Sequence, residues 1–178
     1  MKAQEFLDLL EKENIDIDKL STMVVDALNK KSLKIATAES CTGGMISKLI
    51  TDISGSSSVF DCGVCTYANQ IKMKLLNVKE ETLSTYGAVS DKTAMEMARG
   101  VRILSGADIG ISTTGIAGPM GGSQYKPVGL VYIGISTKDK LLSHKVTLAQ
   151  GLQPQRDRIR ELASACALFY ALHEIDEI

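Results

Sequence analysis

Ser40 stands in the run Ala38-Glu39-Ser40-Cys41-Thr42-Gly43-Gly44, where a strand-like pattern gives way to a helical one. A serine at such a turn, followed by glycines, has features of a nucleophile. The glycines let a substrate approach backbone N–H groups, and N–H groups at a helix start can receive an oxyanion. A simple helix cap would use Ser40 or Thr42 equally well. The run is not the Gly-x-Ser-x-Gly elbow of many hydrolases. A serine also needs a base, and the only histidines are His144 in a late strand and His173 near the end, which argues against a histidine triad. Lysine can do the job if burial lowers its pKa, because desolvation disfavours the charged form. Lys72, following Tyr67-Ala68-Asn69-Gln70-Ile71, is the best-placed lysine; the plainer reading is a solvated side chain beside Lys74. Gly55-Ser56-Ser57-Ser58 is a second source of serines but reads first as a turn.

The segment Thr114-Gly115-Ile116-Ala117-Gly118-Pro119-Met120-Gly121-Gly122-Ser123 is a long loop with little apolar content, and such loops are usually functional. It matches neither a Walker A nor a dinucleotide glycine motif, and an ordinary surface connection is its other reading. Arg156 and Arg160 lie one turn apart near the start of the last helix, where the helix dipole is already positive. An anionic ligand would relieve that conflict, as would local pairing with Asp157 and Glu161. The cysteines Cys41, Cys62, Cys65 and Cys166 read as reduced thiols, and Cys62 and Cys65 fall in a strand pattern that points them to opposite faces. No His or Cys pair has convincing metal-ligand spacing, so a metal-free site is expected.

Apolar spacing predicts the elements that must position these residues. Helices are expected over 3–12 and 17–28, split near Asn14, then a strand over 33–38 ending at the glutamate and serine, and a helix from Gly43-Gly44 to about Asp52. A second strand over 59–67 leads to a helix carrying Ile71, Leu75 and Leu76. Ser90 with Asp91 caps a longer helix with Ala94, Met97, Ala98 and Val101 inward, stopped at Ser105-Gly106. Strands over 107–113, 128–137 and 141–148 follow, the last pair joined by Lys138-Asp139-Lys140. The final helix is expected from near Pro154, with Ile159, Leu162, Cys166, Phe169 and Leu172 inward. Helical crossovers between the first three strands and their absence later predict an α/β fold, with a mixed five-stranded sheet of order 2-1-3-4-5 and helices on both faces. Ligands collect where the winding of such sheets reverses, here between strands one and three. The Ser40, Tyr67 and Thr114 loops would all emerge there.

The chain of 178 residues suits one domain, and 44% hydrophobic with 23% charged residues excludes a disordered chain. Twenty basic and 21 acidic residues give a net charge of -1 and no footprint for a polyanion, so nucleic acid is not expected as the ligand. The absence of a long apolar stretch at the N-terminus predicts a cytoplasmic protein away from membranes.

Several motifs together resemble the CinA C-terminal domain family, whose stand-alone members are PncC-type nicotinamide mononucleotide deamidases. They are Ala38 to Gly44, Gly55-Ser56-Ser57, Tyr67 to Lys72, Gly87-Ala88-Val89-Ser90, Thr114 to Pro119 with Gly121-Gly122, Lys126-Pro127-Val128-Gly129, and Arg156 with Arg160. The resemblance implies a three-layer α/β/α fold like an anticodon-binding domain. It also implies cofactor-free hydrolysis of the nicotinamide mononucleotide carboxamide to nicotinate mononucleotide and ammonia, with homo-oligomers and pyridine-nucleotide salvage as context. On this resemblance Ser40 is the nucleophile, Lys72 the general base and Tyr67 their neighbour. The Thr42-Gly43-Gly44 backbone would surround the oxyanion, and Thr114, Gly115, Ala117 and Gly118 would line the nucleotide pocket. From charge, Arg156 or Arg160 would hold the phosphate. Family members commonly carry a compact Gly-Asp-Arg before the last helix, whereas this chain has Gly151-Leu152-Gln153-Pro154-Gln155-Arg156. Residues 1–16 are expected as a helical extension outside the resemblance, and 17–178 as the amidohydrolase domain. The alternative is a nucleotide-binding regulatory module without turnover; a structural partner domain would bind no ligand.

Overall fold

A computed structural model describes residues 1–149 and 155–178. Helices α1 (Ala3–Lys12) and α2 (Leu20–Lys31) precede β1 (Ile35–Glu39), α3 (Met45–Thr51) and β2 (Phe60–Cys65). Then come α4 (Asn69–Leu76), α5 (Glu80–Tyr86) and α6 (Asp91–Ser105). Strands β3 (Ile109–Gly115), β4 (Leu130–Ser136) and β5 (Leu141–Thr147) lead to α7 (Arg156–Glu177). The sheet has the expected order β2-β1-β3-β4-β5, with β1 parallel to both neighbours and β4 and β5 antiparallel. Helical crossovers force the parallel half, and direct connections allow the antiparallel half.

Strand β1 is buried along its whole length, and the pleat divides its residues between two cores. Ile35 faces the larger cluster, which also takes Phe6 of α1, Leu28 of α2, Ile46 of α3 and Leu168 of α7. Ala36 and Ala38 face a smaller cluster with Leu76 of α4 and Met97 and Val101 of α6. The result is three layers, helices on both faces of the sheet. Ser90 accepts a hydrogen bond from the Thr93 N–H at the start of α6, and Gly106 ends that helix at φ +72°, as their residue types require.

Three expectations change. Helix α5 is absent from the apolar pattern because its seven residues bury only Thr82. Helix α4 turns Lys72 and Leu76 inward, while Ile71 and Leu75 are exposed. Helix α7 buries not only the stripe of Ile159, Leu162, Cys166, Phe169 and Leu172 but also Ala163, Ala167, Leu168 and Ala171. The cause is a second covering layer: Phe6 of α1 meets Phe169 edge-on at 5.6 Å, and α2 packs on α7. The expected start of this helix at Pro154, and the Gly151–Pro154 departure, lie outside the described residues. Among those residues no helix is long and apolar enough to cross a membrane.

Helix α6 lies close on the sheet because small residues face it. A Cβ on Gly134 of β4 would stand 2.2 Å from the Ala94 carbonyl oxygen, and one on Gly110 of β3 would stand 2.2 Å from that of Ala98. The Ser112 hydroxyl donates to the Ala94 carbonyl at 2.6 Å across the same contact. Gly134→Ala is therefore expected to lower stability by about 1–3 kcal/mol through overpacking, read as a lower midpoint in urea unfolding.

Candidate active site

Successive residues at the end of β1 go to opposite faces of the sheet. Glu39 lies on the α3 side, fully buried, and its carboxylate accepts from the N–H groups of Gly44 at 2.9 Å, Ile46 at 3.1 Å and Ser47 at 2.8 Å. The Ser47 hydroxyl adds a fourth bond at 2.7 Å. A carboxylate at a helix start is stabilised by the dipole and by these charge-assisted bonds. Glu39 therefore satisfies the first turn of α3, a task for which Ser40 and Thr42 were both candidates from sequence. Thr42 instead exchanges a 2.7 Å hydroxyl contact with Thr113. Ser40 uses its backbone N–H on the Thr113 carbonyl at 3.0 Å, which extends the β1–β3 ladder by one residue. Its hydroxyl is left for the other face.

On that face stands Lys72, in the first turn of α4 and only 1% exposed. Helical side chains lean toward the N-terminus, which brings Nζ back over the end of β2. There it makes hydrogen bonds to the Thr66 carbonyl at 2.7 Å, the Tyr67 carbonyl at 3.0 Å and Ser40 Oγ at 3.1 Å. Burial lowers its pKa from 10.5 to about 8, against a smaller opposing effect of Cys41. A neutral amine has two hydrogens and one lone pair. With both hydrogens on the Thr66 and Tyr67 carbonyls, the lone pair is directed at the Ser40 hydroxyl. The two backbone acceptors thus orient the amine.

Ser40, Cys41, Tyr67, Lys72, Ala88, Val89, Thr114, Gly115, Ala117 and Arg156 line one cleft of about 190 Å³ beyond the C-terminal ends of β1 and β3. This is the expected switch point. Arg156 reaches in from the start of α7, donating to the Gly118 carbonyl at 2.7 Å and contacting the Tyr67 hydroxyl at 3.4 Å. Tyr67 is 67% exposed at the mouth. The Thr114 hydroxyl is turned to the Ala88 carbonyl at 2.6 Å, so it braces the wall. Cys41 is buried, and desolvation pushes its thiol up to about 12, which keeps it protonated at neutral pH.

Several sequence-level assignments move. Arg160 does not line the cleft: its guanidinium holds the Thr42 carbonyl at 2.8 Å and pairs with Asp157 at 3.5 Å on the α7 face. Gly43 and Gly44 do not line it either, and the Gly44 N–H is held by Glu39. Gly118 contributes its carbonyl to Arg156 rather than a face of the cleft. Glu39 was missed because it reaches forward eight residues to Ser47, beyond the two or three of an ordinary N-cap. Lys126 was missed as a brace: Nζ donates to the Tyr86 and Val89 carbonyls at 2.8 Å each and ties the β3–β4 loop to the wall. Its motif had been visible, but without a partner to read it against. Among the described residues no cluster could hold a metal ion.

Fold and site together define an open mixed α/β sheet that presents a serine–lysine pair at its switch point. The chain belongs to the CinA family, since the CinA C-terminal domain matches residues 17–175. A relative in Caldanaerobacter subterraneus subsp. tengcongensis, provisionally named a competence-damage inducible protein, is 51% identical over 146 residues, covering 82% of this chain and 34% of its own. A CinA-like protein of Kosmotoga olearia is 48% identical, with 85% and 36% covered. The chain thus spans about a third of the length of these curated relatives. The crystal structure of a competence/damage inducible protein from Agrobacterium tumefaciens superposes with a TM-score of 0.84 at 40% identity, covering 90% of this chain and 95% of that one. A CinA superfamily protein from Klebsiella pneumoniae gives 0.85 at 29% identity, covering 92% and 99%.

The lysine makes stability depend on pH. Its folded pKa of about 8 lies below the ordinary 10.5, so the unfolded chain binds more protons between these values. The burial penalty, about 3 kcal/mol, is fully present below pH 8 and disappears as the pH rises to 10.5. Relative to Lys72→Met, the wild type should gain up to that amount across this window in denaturant titrations.

Proposed function

We propose that this chain is an amidohydrolase that cleaves the carboxamide of nicotinamide mononucleotide to nicotinate mononucleotide and ammonia. The observation that carries the reading is the 3.1 Å contact of Lys72 Nζ with Ser40 Oγ, made by a buried amine whose other partners are backbone carbonyls. The substrate follows from the family resemblance. A cationic Arg156 in the cleft and an exposed Tyr67 ring at its mouth suit an anionic mononucleotide with a planar base.

Neutral Lys72 takes the Ser40 proton as Oγ forms a bond to the amide carbon. The tetrahedral intermediate collapses, the C–N bond breaks, and Lys72 returns the proton to the departing nitrogen as ammonia leaves. Water then attacks the acyl-serine ester, giving its proton to Lys72. The ester C–O bond breaks, and Ser40 regains its hydrogen as the carboxylic acid forms. Hydrogen bonds within the chain hold both partners before substrate arrives, which limits reorganisation.

Ammonia release from nicotinamide mononucleotide, measured beside free nicotinamide, tests the reading. Wild type should release it, and Ser40→Ala should not while keeping its circular dichroism; turnover by Ser40→Ala would overturn the assignment. Cys41→Ala should stay active, because a thiol held protonated up to about 12 is a poor nucleophile. Since the base must be neutral, kcat/KM should rise about tenfold per pH unit below pH 8 and level off above it.

A further inference from the structure

We propose that the backbone N–H of Gly115, not the start of α3, receives the oxyanion formed when Ser40 attacks. The inference rests on the amidase reading. Backbone groups along a strand alternate between its two neighbours. In β3 the Ile109 N–H donates to the Lys34 carbonyl at 3.0 Å, and the Thr113 carbonyl accepts from Ser40 at 3.0 Å, so odd-numbered residues face β1. The Ile116 N–H donates to the Leu130 carbonyl at 2.9 Å, so even-numbered residues face β4. Gly115 therefore aims its N–H toward the β1 side, past the last residue of that strand. Continued pairing would give it the Ser40 carbonyl, but the chain turns away after Ser40 and that bond is not made. Gly115 and Ser40 line the same cleft.

At the start of α3 the donors from Gly44 onward are engaged. Gly44, Ile46 and Ser47 give their N–H groups to Glu39, and the Met45 N–H points to the Thr42 carbonyl at 3.4 Å. An oxyanion there would also meet the Glu39 carboxylate, a like charge. Gly115 is instead held rigidly by the β4 ladder at Ile116 and by the Thr114 hydroxyl on Ala88. A Cβ at this position would stand 2.6 Å from the Leu130 carbonyl oxygen and 2.9 Å from Val131 Cα, so the strand end needs glycine. A fixed donor that needs no reorganisation is what stabilises developing charge best.

Thr-Gly occurs in the chain only at Thr42-Gly43 and Thr114-Gly115. Labelling glycine nitrogens and threonine carbonyls with NMR-active isotopes therefore isolates two amide signals, which Thr42→Ser distinguishes. The probe is 3-pyridylboronic acid, whose boron becomes four-coordinate on a serine oxygen. The Gly115 proton is expected to shift downfield on adduct formation and to exchange slowly with solvent, with Gly43 unmoved. A shift of Gly43 alone, or of neither amide with the adduct formed, overturns the assignment and leaves the serine reading intact. A wild type that forms no Ser40 adduct and releases no ammonia overturns both. As a kinetic check, replacing the Gly115 amide by an ester, through cell-free incorporation of glycolic acid, should lower kcat about 10²–10³-fold with little change in KM. Retention of kcat within threefold in the folded ester variant would also overturn the assignment.

Discussion

A lysine nitrogen shielded from water must have its hydrogens accepted by the protein, and much of the site follows from how that is done. Lys72 finds the carbonyls of Thr66 and Tyr67 where β2 has ended and α4 has not begun. Those carbonyls are free because parallel pairing with β1 stops at Cys65. The orientation of α4 is tied to the same need: Lys72 and Leu76 face inward while Ile71 and Leu75, more apolar than lysine, remain exposed. Burial of a charged form is unfavourable by several kcal/mol unless the group is paired or neutral. Here the compromise is an amine with a lowered pKa, two backbone acceptors and one hydroxyl.

The second constraint is the pleat of β1. Glu39 and Ser40 are neighbours in sequence, yet one serves α3 and the other meets α4, because successive strand residues face opposite sides of the sheet. A register slip of one residue would exchange their environments and place a carboxylate against Lys72. The carboxylate cap also separates two tasks that a serine at a helix start would otherwise combine. Glu39 takes the N–H groups, so Ser40 need not.

The walls of the cleft come from elements far apart in sequence. Arg156 at the start of α7 touches Gly118 and Tyr67, and Lys126 pins Val89. The β3–β4 loop is thus held at two points by cations that donate to carbonyls, bonds stronger than neutral ones. Arg160, one turn beyond Arg156, does not line the cleft and instead clamps the Thr42 carbonyl. Two arginines that look equivalent in sequence therefore hold different partners.

The sequence by itself determined the element order apart from α5, the mixed sheet and its strand order, because apolar period, turn residues and connection lengths are local or topological signals. It also singled out Ser40, Lys72, Tyr67, Thr114, Gly115, Ala117 and Arg156, which one cleft brings together. Short α5 was invisible because a single buried residue has no period. What only the tertiary structure decided was partnership. A serine before two glycines could have been a helix cap, and a lysine beside Lys74 could have been solvated. Which of these holds depends on Glu39 filling the cap and on two carbonyls at the end of β2 accepting the amine. Hydrogen bonds and desolvation depend on atoms brought together across 32 residues between Ser40 and Lys72, and spacing along the chain does not encode them.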